Sequence, residues 1–421
     1  MNAVSAMNFK RVVITGMAGI TPLGDDADDI FTAFGEKRSG ICYTPEWESY
    51  PDLHTRLSAP AHFDVPSHFN RKITRGMGKV ALMSVITAER ALADAGLYKH
   101  DDYCHDVITS GMTGVAFGSS SGSADATVEM VEFIRHHSDK RINATTYIRM
   151  MSHTSAVNIS VRFGLKGLTL PTTSACTSGS MAIGQAYEAI KYGKQTVMLA
   201  GGADELSVGS AVIFDTLFAT SCQNDNPKRS PRPFDKDRDG LVIGEGSGCL
   251  ILEEYEHARA RGATIYAEVL GYGSSTDGSH VTRPESEQMA RCMALALTDA
   301  GFSADDIDYV NAHGTATEQG DIAESCATVA TLGKKPTSSL KSYFGHTLGA
   351  CGALEAWLGI EMLRRGQLVP TLNLENIDER CGDLDYITGD FRPTTARTMM
   401  SNNFAFGGIN TSLIFKVVDE Y

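Results

Sequence analysis

The 421-residue sequence has only 13 prolines, no run of 18 apolar side chains and nowhere more than two Lys or Arg residues in succession. Each absence excludes something. So few prolines, beside 42% hydrophobic and 21% charged residues, exclude a disordered or fibrous chain. Without a long apolar run there is no candidate membrane-spanning helix, and the opening MNAVSAMNFKRVVITG holds no signal-peptide core. The chain is expected to be soluble, without membrane insertion, and Met7 is an alternative start. Acidic side chains outnumber basic ones 51 to 37, a formal charge of −14, which argues against a general nucleic-acid binder. An acidic partner would need a local basic patch.

Paired cysteines are missing as well. The nine cysteines, at 42, 104, 176, 222, 249, 292, 326, 351 and 381, form no CxxC and no cysteine-histidine ligand spacing. A reduced, cytoplasmic protein without structural zinc is predicted.

What is present is alternation. RVVITG, GVAFG, QTVMLAGGADE, GCLILEE, TIYAEVLGYG, IDYVNAHG and TSLIFKVV read as strands, and KVALMSVITAERALADAG, MAIGQAYEAIKYG and GALEAWLGIEMLRRG as helices ending at glycine. This pattern predicts an α/β layered fold with mostly buried sheets. Internal similarity adds to it. ALADAGL at Ala91–Leu97 resembles ALTDAGF at Ala296–Phe302, and Cys176-Thr-Ser-Gly179 resembles His346-Thr-Leu-Gly349, each of the latter pair preceding an Ala-rich helix. The different offsets predict extra residues in the first half, around 123–160.

Three side chains stand out by context. Cys176 sits in TTSACTSGS just before a helix, where free amide N–H groups and the positive helix end would favour the thiolate and form an oxyanion hole. Most of the 12 histidines read as surface residues, but His313 in AHGTATEQGD and His346 in KSYFGHTLGACGALE lie in small-residue loops after strands. A cysteine with two histidines suits a reaction in which the thiol holds one acyl group while neutral imidazoles donate hydrogen bonds to a second thioester carbonyl as negative charge develops on it; zinc binding by the same three is the rival, and no short ligand spacing supports it. Three apparent motifs carry nothing: DKDRDGLVIGE lacks the final bidentate acid of a calcium loop, GEGSG leads into a strand, and GMAG lacks the glycine spacing and lysine of a phosphate cradle.

Together TTSACTSGS, AHGTATEQGD, KSYFGHTLGACGALE, PRPFDKDRDGLVIGEGSG and SNNFAFGGINTSLIF resemble the β-ketoacyl-acyl carrier protein synthases of the elongating branch, over nearly the whole chain. The resemblance implies an α/β thiolase-type fold of two duplicated αβ halves, 7–260 and 261–421, in five α-β-α-β-α layers. It implies a decarboxylative Claisen condensation, with Cys176 as acylated nucleophile and His313 and His346 assisting loss of CO2 from a malonyl-acyl carrier protein. No cofactor is implied beyond the phosphopantetheine arm of the carrier, and no metal. Carried over by motif, Lys341 is the catalytic-site lysine and Glu324 its acidic partner. Phe406 is the gate whose N–H completes the oxyanion hole with that of Cys176, and Phe404 packs near the malonyl carboxylate. Thr315, Thr317, His280 and Thr282 bind malonyl and pantetheine groups, and Ser121 stands where acyl-pocket depth is commonly set. Lys72 and Arg75, in NRKITRGMGK, are the candidate carrier-protein docking residues. A homodimer is expected, or a heterodimer with a chain-length-factor-like subunit.

The closing motif departs from the common form, which has Ser for Asn403, Gly for Ala405 and Thr for Ile409. That suits a specialised branch, such as one extending polyene or polyketide chains instead of fatty acids. A cysteine-dependent thioester hydrolase is the rival from another class, and no base and orienting acid for water are singled out for it.

Overall fold

The computed structural model describes residues 9–137 and 142–418, so Met7 lies outside the described residues. Eleven strands form one hydrogen-bonded series: β1 (Val12–Ile20), β2 (Thr113–Gly118), β3 (Thr169–Thr172), β4 (Val197–Asp204), β5 (Gly246–Glu254), β6 (Ala267–Thr276), β7 (Tyr309–Asn311), β8 (Pro336–Ser338), β9 (Asp385–Tyr386), β10 (Thr398–Ala405) and β11 (Ile409–Val417). Their spatial order is β9-β8-β7-β10-β11-β6-β1-β5-β4-β2-β3.

That order contains a repeat. Outward from β1, β5 and β4 follow antiparallel, then β2 and β3 parallel. Outward from β6, β11 and β10 follow antiparallel, then β7 and β8 parallel, with β9 added at the edge. The two sets meet along β1 and β6, where Val12 opposes Val269 and Ile14 opposes Ala267.

Six helices complete the layers: α1 (Lys79–Asp94), α2 (Thr154–Phe163), α3 (Ser178–Lys191), α4 (Ser286–Ala300), α5 (Glu318–Leu332) and α6 (Cys351–Arg364). α3 and α6 pack on each other and touch strands of both sets, α1 and α2 cover the outer face of the first set, and α4 with α5 covers the second. The result is five layers, α-β-α-β-α. The middle position explains the composition of α6: every residue from Cys351 to Leu363 is buried, so its sequence shows no polar face. β1 and β4 are buried at every position for the same reason, since helices cover both of their faces.

The matched sequence segments fall at equivalent places. Gly96 after α1 and Gly301 after α4 both adopt left-handed φ, +66° and +67°, and end their helices alike. The second pair is shifted relative to the sequence reading. A short 3-10 turn at Ala175–Thr177 leads into α3 and another at Leu348–Ala350 into α6, each opening on a residue with φ +51°. Cys176 is thus equivalent to Gly349, and His346 stands three residues earlier, because the loop before α6 delivers its side chain from the strand side. Helices Ala124–His136 and Ala144–Met150 fill the first half between β2 and α2, and nothing comparable separates β7 from α5. Among the described residues no helix is long and apolar enough to cross a membrane.

Candidate active site

The turn that carries Cys176 is built under strain. Ala175, a non-glycine residue, is held in the left-handed region directly before Cys176. The turn is fastened by Thr172, Ser174 and Ser178: the Ser178 hydroxyl donates to the Ala175 carbonyl at 2.7 Å and accepts from the Ser174 N–H at 3.0 Å, while Thr172 donates to the Ser178 carbonyl at 2.7 Å. The two helix starts can approach because Gly202 of β4 lies between them; a Cβ there would stand 2.2 Å from the Gly349 carbonyl oxygen. Asp204, also of β4, ties the same parts together, accepting from Ser119 Oγ at 2.8 Å, Ser120 N at 3.0 Å and Gly349 N at 2.6 Å.

His346 is pinned through its backbone to the DGLVIGEG segment: its N–H donates to Val242 O at 2.7 Å and its carbonyl accepts from Gly244 N at 2.9 Å. Its Nδ1 accepts from the Leu348 N–H at 3.2 Å, so the ring proton sits on Nε2. That Nε2 lies 2.9 Å from Cys176 Sγ. The His313 ring stands nearly perpendicular to that of His346, with centroids 5.1 Å apart. Burial and the nearby Lys341 charge hold both imidazoles well below their ordinary pKa, so both are neutral at physiological pH.

Burial also corrects the expectation for the thiol. Cys176 is 3% exposed, and desolvation pushes its pKa up to about 12, against the pull of Lys341 and of the backbone N–H groups of Phe406 and Cys176 itself. The resting thiol is protonated, and the helix end lowers its pKa less than burial raises it.

A second correction concerns the acidic partner of Lys341. Lys341, fully buried, hydrogen-bonds Glu355 of α6. Glu324 instead accepts from the His313 and Gly314 N–H groups, both at 2.7 Å, and so shapes the histidine loop. Burial raises Glu324 to about 8, and its charge reaches Lys341 without a hydrogen bond. Glu355 is the residue that sequence reasoning passed over, although it lies inside the quoted KSYFGHTLGACGALE block. An acid on a helix normally reads as solvent-facing, and only the middle-layer position of α6 buries it. Asn403, Asp204 and Cys351 were missed likewise; Cys351 donates to the Cys176 carbonyl at 3.2 Å. Behind the His313 loop, Asp321 accepts from the Phe234 N–H at 2.7 Å, and Arg238 pairs with Asp378 at 2.7 Å. The PRPFDKDRDG block is therefore a brace for the loop.

A cavity of about 400 Å³ runs from Cys176, His313 and His346 to the surface at Phe218 and Val281. Thr315, Thr317, Thr282, Glu324, Phe404 and Phe406 line it. The Thr315 and Thr317 hydroxyls are 2.9 Å apart, and Phe404 meets the His313 ring edge-on at 6.3 Å. Phe406 lies against Phe214, centroids 5.0 Å apart. Two expected members are elsewhere: Ser121 is exposed and off the cavity wall, and His280 is exposed, with its Nδ1 accepting from the Thr282 N–H at 3.2 Å. Both sit on loops whose course the tertiary structure sets. Lys72 and Arg75 are exposed, on and just after the short helix Arg71–Thr74. The ligand atoms of Cys176, His313 and His346 lie within 4.8 Å of one another, as three metal ligands might. The Lys341 charge acting on both imidazoles opposes a dication there.

Comparison with known proteins identifies the family. Residues 9–258 match the β-ketoacyl synthase N-terminal domain family and residues 266–375 the β-ketoacyl synthase C-terminal domain family. The chain is 35% identical over 412 residues to 3-oxoacyl-[acyl-carrier-protein] synthase 1 of Haemophilus influenzae, covering 97% of this chain and 99% of that one. It is 36% identical over 422 residues to 3-oxoacyl-[acyl-carrier-protein] synthase 2 of Coxiella burnetii, covering 98% and 100%. Among solved structures, a β-ketoacyl synthase from Burkholderia phymatum superposes with TM-score 0.95 at 54% identity, covering 97% of this chain and 100% of that one. The ishigamide ketosynthase/chain length factor follows with TM-score 0.88 at 29% identity, covering 98% and 100%. The chain therefore belongs to the β-ketoacyl-acyl carrier protein synthase family, thiolase-fold acyltransferases that form carbon-carbon bonds.

Proposed function

We propose that this cavity performs a decarboxylative Claisen condensation in two stages, extending an acyl chain by two carbons. In the first, Cys176 Sγ attacks the thioester carbonyl of an acyl chain delivered on the phosphopantetheine arm of an acyl carrier protein. The new carbon-sulfur bond forms as the bond to the pantetheine sulfur breaks, and the arm leaves as a thiol carrying the proton lost by Cys176. In the second, malonyl-carrier protein loses CO2, and the enolate oxygen takes hydrogen bonds from His313 and His346. The enolate carbon attacks the acyl-cysteine, and the resulting oxyanion faces the N–H groups of Cys176 and Phe406. Collapse releases the 3-oxoacyl product and a Cys176 thiolate, which regains a proton.

The observation that carries this reading is the tautomer of His346: Nδ1 is occupied by the Leu348 N–H, so Nε2 can only donate, toward Cys176 Sγ and the cavity. A histidine that can only donate at this atom does not activate water, which disfavours the hydrolase alternative. Lys341 and Glu355 hold the polar network behind the histidines, Thr315, Thr317 and Thr282 contact the incoming arm, and Lys72 and Arg75 face the carrier protein. The domain boundary falls between 260 and 261, where β5 and its short following helix give way to β6 and the second set of strands begins.

For quaternary structure the reading is a dimer. Among the described residues no strand pairs with the outer side of the edge strand β3, and on helix Ala124–His136 Val128 and Ile134 are 58% and 62% exposed, an apolar face that a second subunit would cover. A second copy of the chain is the proposed occupant. A chain-length-factor-like subunit is the alternative, supported by the likeness to the ishigamide pair and, at 30% identity and TM-score 0.85, to a type II polyketide ketosynthase in complex with its acyl carrier protein. The proposed location is the cytoplasm, in keeping with nine unpaired cysteines.

Intact-protein mass spectrometry after incubation with a panel of acyl-carrier proteins tests the first stage and names the chain that loads. Cys176→Ala should take up no acyl group and form no condensation product; chain extension by that variant would refute the assignment. Replacing His313 or His346 should spare acylation and block release of CO2.

A further inference from the structure

Asn403 stands near the end of β10, where the synthases this chain resembles commonly carry serine. It is fully buried. Its amide nitrogen lies 2.8 Å from Glu355 Oε2, 3.3 Å from His313 Nδ1 and 3.5 Å from Cys351 Sγ. Glu355 is the partner of the Lys341 ammonium, and an ionised carboxylate only accepts, so the amide must turn its nitrogen to Glu355. The amide oxygen then points at Gly352, where a Cβ would stand 2.6 Å away, and it finds no donor. A buried amide that leaves its own oxygen unsatisfied is held in place by its nitrogen contacts. One hydrogen goes to Glu355, which leaves the other for His313 Nδ1.

We propose that Asn403 is a positioning residue for His313: it links the Lys341–Glu355 pair to Nδ1 and keeps the ring proton on Nε2, facing the cavity. The two histidines reach the same tautomer by different routes. His346 receives its Nδ1 donor from the backbone, at Leu348. In the His313 loop the corresponding N–H, that of Thr315, is turned to Asp321, and those of His313 and Gly314 are engaged by Glu324, so the donor has to come from a side chain. A serine in this place is one bond shorter and has a single hydrogen, so it cannot serve Glu355 and His313 together.

This inference rests on His313 being the enolate donor, and the test separates the two. Imidazole 15N spectra of labelled wild-type protein, assigned with His313→Gln, should show His313 protonated at Nε2 and bare at Nδ1. In Asn403→Leu the proton should become shared between the two nitrogens. In Asn403→Asp, which is isosteric but only accepts when ionised, it should move to Nδ1. Malonyl-carrier decarboxylation should fall by about tenfold or more in both variants, while acylation of Cys176 stays within about twofold of wild type. A wild-type His313 protonated at Nδ1 would overturn the proposal. So would variants in which the tautomer is unchanged, or in which acylation and decarboxylation fall together. A shifted tautomer with undiminished decarboxylation would uphold the positioning role and refute instead the assignment of His313 to the enolate.

Discussion

Gly202→Ala is the sharpest test of how the turns of Cys176 and His346 are brought together. The added Cβ would stand 2.2 Å from the Gly349 carbonyl oxygen and 3.0 Å from Gly179 Cα, both backbone atoms that no rotamer change can move. Ordinary contact begins at 3.4 Å, so the turn before α6 must retreat by about 1 Å. Overpacking of this kind costs about 1–3 kcal/mol, which a chain of this size survives. The chemistry is less tolerant. The retreat acts on the loop that carries His346, whose Nε2 sits 2.9 Å from Cys176 Sγ, and a misplacement of about 1 Å can cost about a hundredfold in rate. The expected result is a folded protein with condensation reduced by about that factor. Gly209→Ala, where the nearest atom is the Ser207 hydroxyl at 3.6 Å, should be neutral in both respects. The assay is chain extension from acyl- and malonyl-carrier protein, beside a thermal melt. A Gly202→Ala protein with wild-type turnover would refute the claim that close approach of β4 and α6 sets the site.

Other outcomes follow from the electrostatics. Lys341→Met leaves Glu355 buried without its cation, a loss of about 3–5 kcal/mol, and Lys341→Met with Glu355→Gln should recover much of it. Burial already raises the Glu355 pKa and loss of the lysine raises it further; a carboxyl with a raised folded pKa costs stability as pH climbs from its unfolded value through its folded one, so the Lys341→Met deficit should be larger at pH 8 than at pH 5. Equal deficits at both pH values would contradict this. Because His313 and His346 are held well below their ordinary pKa, decarboxylation should show no acidic limb around pH 6.5, and a limb there that vanishes in a histidine variant would show the imidazoles to be less buried in solution. Charge reversal at Lys72 and Arg75 should raise KM for carrier-protein substrates and leave kcat unchanged, in steady-state kinetics at low salt; unchanged KM would place docking elsewhere.

Much of the molecule was legible before any coordinates. Helices that end at glycine, strands read from β-branched runs and the repeat of ALADAGL in ALTDAGF are short-range signals, and the elements they mark lie at equivalent places in the two sets of strands. Cys176, His313 and His346, which meet at one cavity, stood out because each sits in a small-residue loop between a strand and a helix, a pattern contained within ten residues. The partner of Lys341 was not legible. Glu324 and Glu355 are both acids in conspicuous motifs, and the choice between them depends on α6 lying in the middle layer with its whole circumference covered. The direction of the Cys176 shift escaped for a related reason: the helix end is visible in the sequence, whereas the removal of water around the sulfur is a property of five packed layers.

The sequence by itself determined the family, through five motif blocks in the same order, and it determined that the chain contains a repeat. Only the tertiary structure decided which nitrogen of His346 bears the proton, which carboxylates are paired, and that the residues expected at the pocket include two, Ser121 and His280, that lie outside it. Local sequence sets backbone conformation over a few residues, but burial and the contacts of Cys176 with His346 and of His313 with Asn403 join groups 170 and 90 positions apart that meet only when the two sets of strands close on α3 and α6.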